Sequence, residues 1–164
     1  MTTDVERFAS LASTGDPRDV VEAMRLVRGP LFGGLRHVDW AVFDGTQAAV
    51  ESLVVTAALE GAELLTEGGG AEAEWVVRRA LVVSPYDERL YRALLRATAS
   101  QGNRVALRAT MSQLLTMAGD VPGPPNACDP PGERVLTCLH PDTAALYQDL
   151  LRGAPAVGGT PSRL

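Results

Sequence analysis

Three arginines are spaced so that they form a charged stripe along one face of a helix. Arg89, Arg92 and Arg96 recur at i, i+3 and i+7 in the stretch SPYDERLYRALLRATASQGNR, and side chains at that spacing are neighbours on a helix surface. The chemistry available to them is anion recognition, because each guanidinium presents a planar fork of donors that fits a carboxylate or a phosphate. The stripe predicts a binding surface for an acidic peptide or an acidic protein.

The stripe lies in the most basic part of an acidic chain. Between residues 78 and 108 there are seven arginines and two acids, a net charge of +5, whereas the whole chain carries −5. All 15 basic residues are arginine and none is lysine. The basic character is therefore concentrated in this segment, and the rest of the chain carries a net charge of −10.

Two other interpretations of the stripe remain open at this stage. The first is a solvated face in which Glu88 pairs with Arg92 along the helix and Glu60, Glu63 and Glu67 pair across from the preceding helix. Exposed pairs of that kind contribute only about 0–1 kcal/mol each. The second is nucleic-acid binding, for which the chain contains no recognisable motif.

The remaining reactive residues do not form an enzyme motif. Cys128, Cys138 and His140 have the spacing C-x9-C-x-H, which lacks a fourth ligand and matches no zinc site. The patterns G-x-S-x-G and H-E-x-x-H do not occur, and without lysine neither a Walker P-loop nor a Schiff base can form. We predict no catalytic residue, no metal and no cofactor.

The elements that must position the stripe are helices. Apolar residues recur at helical spacing in seven segments, and no segment alternates as a strand does. The predicted helices are a short one in TDVERFASLAST, a second capped by Asp16 and started by Pro17, a third from Asp39 to about Glu67, and then Ala71 to Val83, Tyr86 to Gln101, Arg104 to Ala118, and Pro141 through Leu151. Connections of two to four residues in the middle of the chain make neighbouring helices antiparallel.

Two parts of the chain fall outside this helical pattern. Residues 120–139 contain five prolines and predict a loop inserted into a domain of residues 1–152, and residues 153–164 predict a disordered tail. Neither a signal peptide nor an apolar run of membrane-spanning length is present. Two cysteines fit a reducing compartment, so the sequence predicts a cytoplasmic location.

A period of 34 residues runs through the middle of the chain. Gly68 and Gly102 are 34 residues apart, each between two predicted helices. Three pairs of apolar residues share that offset: Ala73 and Leu107, Val77 and Met111, Ala80 and Leu114. Helical hairpins at this period are typical of tetratricopeptide repeats. The sequence therefore predicts an all-α fold, a short right-handed solenoid of stacked hairpins whose concave groove displays Arg89, Arg92 and Arg96.

A wider resemblance covers most of the chain. The segments that carry it are RGPLF before a tryptophan-containing helix, ALVVSPYDERLYRALLRATASQGNRVALR, and a terminal DTAALYQDLL. Together they resemble the bacterial transcriptional activator domain, the tetratricopeptide-like domain that follows a winged-helix domain in regulators of the Streptomyces antibiotic regulatory protein type. No strand–turn–strand wing is visible in the sequence, so the resemblance implies the interaction half of such a regulator.

The expected function is a non-enzymatic protein–protein interaction module in transcription regulation. The resemblance and the stripe together imply a protein partner with an acidic surface or an acidic peptide, or self-association into a homo-oligomer. We expect no direct nucleic-acid binding by this chain and no membrane segment in it. Two alternatives remain: a scaffolding domain of a larger envelope-linked protein, and a small-molecule sensor with an apolar cavity between helices.

Overall fold

The computed structural model describes residues 3–32, 44–68, 70–120 and 139–153, and every regular element in these ranges is an α-helix. The helices are α1 (Asp4–Ala12), α2 (Pro17–Arg25), α3 (Thr46–Thr66), α4 (Ala71–Val83), α5 (Glu88–Ser100), α6 (Arg104–Asp120) and α7 (Pro141–Gly153). The prediction of an all-α fold with about seven helices is confirmed. In the described residues no helix is both long and apolar enough to cross a lipid bilayer.

Side chains at the helix starts explain why most of these boundaries are readable in the sequence. Thr3 and Glu6 form a capping box at the start of α1. Asp16 accepts a hydrogen bond from the backbone N–H of Arg18, and Pro17 occupies the first turn of α2. Asp87 caps α5 in the same way as Asp16 caps α2. Each cap satisfies a backbone donor that the first turn of a helix leaves unpaired.

The helices are stacked as successive hairpins. The pairs α1 with α2, α3 with α4, and α5 with α6 pack as hairpins, and each hairpin also packs against the next. The first helices of the hairpins contact one another in series, α1 with α3, α3 with α5, and α5 with α7. This series forms one side of the stack, and it is the side on which the arginine stripe of α5 lies between its neighbours α3 and α7.

Small and apolar residues at the 34-residue offset form the centre of the core. All six of them are buried: Ala73, Val77 and Ala80 on α4, and Leu107, Met111 and Leu114 on α6. Tyr91, Leu94 and Leu95 of α5 are fully buried between these two helices and α3. The three pairs of residues at the 34-residue offset thus face inward in both α4 and α6, the second helices of two successive hairpins.

Two glycines allow close approach between elements. Gly61 on α3 faces Val20 on α2, and a Cβ atom at residue 61 would overlap the valine side chain. Gly70 has φ +83° at the start of α4, and a Cβ atom there would overlap the Ala97 carbonyl and the Ser100 hydroxyl. Both positions require glycine, Gly61 for space and Gly70 for backbone conformation as well.

Several sequence predictions concern residues outside the described ranges. These are residues 39–43 of the helix predicted from Asp39, residues 121–138 of the proline-rich insertion with Cys128 and Cys138, and residues 154–164 of the tail. Where the description resumes, Gly45 is the N-cap of α3. Helix α6 continues to Asp120, two residues beyond its predicted end.

Candidate interaction groove

Arg89, the first residue of the stripe, is exposed but already paired. Its side chain is 61% exposed, and its guanidinium holds the Asp87 carboxylate through Nε–Oδ1 and Nη2–Oδ2 contacts of 3.1 and 2.7 Å. Burial acts to raise the pKa of Asp87, but the hydrogen bonds and charge of Arg89 outweigh burial and hold that pKa below its ordinary value. Arg89 therefore stabilises the cap of its own helix.

Arg92 is directed at α7 rather than at an open groove. It is half-buried, and its Nη1 donates a hydrogen bond to the Thr143 hydroxyl at 3.1 Å. The same hydroxyl donates to Glu88 Oε2 at 2.8 Å, and Thr143 is fully buried. Glu88 and Arg92 are thus joined through a threonine of another helix, whereas the solvated-face interpretation expected a direct pair.

Charged side chains hold α7 at both ends. The Glu88 carboxylate accepts hydrogen bonds of 3.1 and 3.2 Å from the backbone N–H of His140, directly before the first residue of α7. At the other end, Arg104 Nη2 donates to the Leu151 carbonyl at 2.8 Å. An anion at the N-terminus and a cation at the C-terminus complement the helix dipole, so both residues favour the docked position of α7.

Two more arginines of the basic segment have partners inside the protein. Arg78 pairs with Glu74 one turn earlier, with 2.9 Å between Nη2 and Oε1. Arg79 lies over the Trp75 ring, 5.4 Å from its centre, and donates to the Val27 carbonyl just beyond the end of α2. The indole is therefore a partly buried platform for a cation, an arrangement that contributes about 0.5–1 kcal/mol at exposed sites.

Arg96 and Arg108 differ from the other five. Within the described part of the chain, neither has a hydrogen bond or an ion pair, and both are exposed. Arg96 is the third residue of the stripe, whereas Arg108 lies on α6. Of the three predicted binding residues, Arg96 is therefore the one that could bind a carboxylate of a partner without first breaking a hydrogen bond or an ion pair within the protein.

Arg96 lies at the edge of a cleft between α3 and α5. The cleft has a volume of about 210 Å³, and its lining consists of Leu59, Ala62, Glu63, Thr66, Ala93 and Arg96. The methyl and methylene groups of Leu59, Ala62 and Ala93 make its lining largely apolar. Its two charged members come from opposite helices, Glu63 from α3 and Arg96 from α5.

The α3 side of this cleft is acidic. Glu60, Glu63 and Glu67 recur at i, i+3 and i+7 at the C-terminal end of α3, where Glu67 is the C-cap. All three are exposed, and α3 contains no basic residue. The solvated-face interpretation placed these glutamates in ion pairs with the arginines across from them. Among the described residues no such ion pair occurs. The cleft therefore has Glu63 on its α3 side and Arg96 on its α5 side. We call the exposed row of three glutamates the acidic wall, although Glu60 and Glu67 lie outside the lining of the cleft, and we call Arg96 the basic wall.

A larger and mostly apolar cavity lies near the first hairpin. It has a volume of about 530 Å³, and its lining includes Val5 and Phe8 of α1, Val50 and Leu53 of α3, and Phe32. Phe32 has φ +58°, which is unusual for a residue with a side chain. This cavity is on a different part of the stack from Arg96, so the two features are separate.

The cysteine and histidine cluster considered from the sequence is only partly visible. His140 precedes α7, and its Nδ1 accepts a hydrogen bond from the backbone N–H of Asp142 at 3.3 Å. Both cysteines lie outside the described residues. In the ranges that are described, no three histidine, cysteine, aspartate or glutamate side chains are grouped closely enough to hold a metal ion.

Comparison with known proteins places most of this architecture in one family. Residues 3–110 match the family model described as the bacterial transcriptional activator domain. No curated protein and no solved structure matches the chain. The matched range contains α1 to α5 and the first turns of α6, and hence both walls of the cleft, whereas α7 lies beyond it.

Proposed function

This chain belongs to the bacterial transcriptional activator domain family, and on that premise we propose that it is a protein–protein interaction module. It acts without catalysis, in the cytoplasm, as part of a bacterial transcriptional regulator. It binds a partner protein, or a second copy of itself, through the face on which α3 and α5 meet. The family supports a regulatory role, and the features of that face support the interaction.

The observation that carries the proposal is the position of Arg96. Its guanidinium is exposed beside an apolar cleft and has no partner among the described residues, whereas five arginines of the same segment are already used inside the protein. A charged group next to an apolar recess gives both attraction and shape, because charge fixes the orientation of a partner and the recess buries its side chain. Arg96 and the cleft are the proposed contact.

The stacked hairpins suit this role because they keep the contact surface rigid. Arg96 lies within α5 and Glu63 lies in the last turn of α3, and these two helices pack against each other. A binding surface on such a scaffold loses little conformational freedom when a partner arrives, so more of the contact energy remains as affinity. Exposed side chains on α3 and α5 can change the specificity without changing the fold.

A charge-reversal pair tests the proposal. The tagged chain, the Arg96→Glu variant and the Arg108→Glu variant are each expressed in the native cell, cross-linked and purified, and co-purifying proteins are quantified by mass spectrometry. Arg108→Glu is the matched control because it makes the same charge change at an exposed residue that does not line the cleft. We expect at least one protein to fall about tenfold, roughly 1.4 kcal/mol, with Arg96→Glu alone.

Self-association is measured with the same three proteins by light scattering across a range of concentrations. If a second copy is the partner, the dimer weakens in Arg96→Glu and persists in Arg108→Glu. Co-purifying proteins and oligomeric state that are identical in all three forms would refute the proposed contact.

A further inference from the structure

We infer that the partner segment of this cleft carries charges of both signs around an apolar residue, and is not uniformly acidic. This inference rests on the proposed function and gives the partner's chemistry more narrowly. The partner's acidic residue meets Arg96 on α5, its apolar side chain enters the cleft, and its basic residue meets Glu63 on α3.

The α5 side of the cleft offers fewer available guanidinium groups than the stripe of three arginines suggests. Arg89 is held by Asp87, and Arg92 is held by Thr143 and faces α7. Only Arg96 borders the cleft. A ligand with several carboxylates would therefore find one available guanidinium here, and its remaining charges would have no counterpart on α5.

The acidic wall would repel such a ligand. Glu63 lines the cleft, Glu60 and Glu67 belong to the same exposed row just outside the lining, and the described residues contain no ion pair that neutralises any of the three. Like charges brought together across an interface suppress binding, whereas opposite charges fix the register. If the ligand carries a basic residue on the side that faces α3, that residue attracts Glu63, and the repulsion is replaced by a favourable contact.

The lining of the cleft selects the residue between the two charges. Leu59, Ala62 and Ala93 give it an apolar surface, and its volume is about 210 Å³. An engineered apolar cavity of about 150 Å³ is large enough to bind benzene. The cleft therefore accommodates one aliphatic or aromatic side chain of the partner, which its two charged neighbours hold in register.

The first experiment selects ligands without assuming their charge. A phage library of random 12-residue peptides is selected against the whole chain, with counter-selection against Arg96→Glu. The inference predicts that enriched peptides place an apolar residue between an acidic and a basic one. Enrichment of purely acidic peptides would overturn the inference and leave the proposed function standing, whereas no Arg96-dependent enrichment would count against both.

The second experiment uses one enriched peptide and the Glu63→Arg variant. A ligand with both charges loses its partner on α3, so its dissociation constant should rise at least fivefold. A uniformly acidic ligand would instead bind Glu63→Arg more tightly than the wild type, because the variant adds a guanidinium to the cleft. Glu72→Arg makes the same charge change at an exposed residue of α4, outside the cleft, and should leave the affinity unchanged.

Discussion

The Arg92 guanidinium on α5 donates a hydrogen bond to the Thr143 hydroxyl on α7, with 3.1 Å between Nη1 and Oγ1. Arg92 belongs to the predicted binding stripe, and through this contact it holds α7, a helix that lies beyond the residues matched by the family model. We call the group of Arg92, Thr143 and Glu88 the clamp. Glu88 completes the clamp by accepting from the same hydroxyl. Two arginines of the stripe therefore have different surroundings: Arg92 contacts α7, whereas Arg96 lies beside the cleft.

Replacement of Thr143 by valine should loosen α7. The change removes the hydroxyl that joins Arg92 to Glu88 while keeping the side-chain shape, and it leaves two partly buried charges without this bridge. We expect the free energy of unfolding to fall by about 1–3 kcal/mol, measured by urea denaturation. Thr116→Val is the control, because that hydroxyl is exposed and bonds only within α6. Equal stability of the two variants would contradict the clamp.

Gly61→Ala should strain the contact between α3 and α2. The new methyl group would overlap the Val20 side chain, and overpacking of this kind costs about 1–3 kcal/mol. The Val20→Ala change makes room for it, so the double variant should be more stable than the sum of the two single changes predicts. Thermal unfolding of the four proteins measures this coupling. Simple additivity would show that the two residues do not meet.

Gly70 and Gly102, two of the four described glycines with positive φ, should respond differently to alanine. Gly70→Ala combines a left-handed backbone with overlap of the Ala97 carbonyl, for an expected loss of about 2–5 kcal/mol. At Gly102 the backbone is also left-handed, but a methyl group there meets nothing within 4 Å, so the expected loss is about 1–2 kcal/mol. Denaturation midpoints compare the two, and a larger loss at Gly102 would be inconsistent with the packing of α4 against α5.

The Asp87–Arg89 pair should make stability depend on acid pH. Because the folded state lowers the pKa of Asp87, its contribution is complete above the unfolded pKa of about 3.9 and is lost as the pH falls through the lower folded value. Asp87→Asn keeps a capping side chain but loses the ion pair, an effect of about 0.5–1 kcal/mol at pH 7. The stability difference between wild type and variant should therefore shrink as the pH approaches 2.

Asp16→Asn is the control for this titration, since Asp16 also caps a helix but has no ion pair with an arginine among the described residues. Its stability difference from the wild type therefore contains no contribution from a paired arginine. A difference for Asp87→Asn that is constant from pH 7 to pH 2 would show that Arg89 does not stabilise the charged carboxylate.

Local signals were sufficient to predict most of the helices. Helix α4 has its predicted bounds, Ala71 to Val83, and α2 begins at Pro17 after its Asp16 cap, because these signals lie within a few residues of the boundary. The role of Arg92 could not be predicted in this way. Its partner Thr143 is 51 residues away in sequence, and only the docking of α7 brings the two together.

The cleft could be predicted only in part. Helical spacing alone shows that Glu60, Glu63 and Glu67 share a face of α3 and that Arg96 belongs to the stripe of α5. Whether those faces form ion pairs or leave a cleft depends on the separation of the two helices, which the side chains packed between them determine. The sequence therefore indicated the charged residues and suggested pairs across the helices, whereas the described structure contains a cleft between them.

The central claim is that the face shared by α3 and α5 touches a protein partner, and photo-cross-linking in the native cell tests it most directly. A photoreactive amino acid replaces Thr56, which is exposed and lies seven residues before Glu63 on α3, or Ser112, which is exposed on α6 and away from the cleft. We predict a discrete cross-linked protein, or a cross-linked dimer of the chain, from residue 56 and none from residue 112. Cross-links from residue 112 alone, or from neither residue, would contradict the claim.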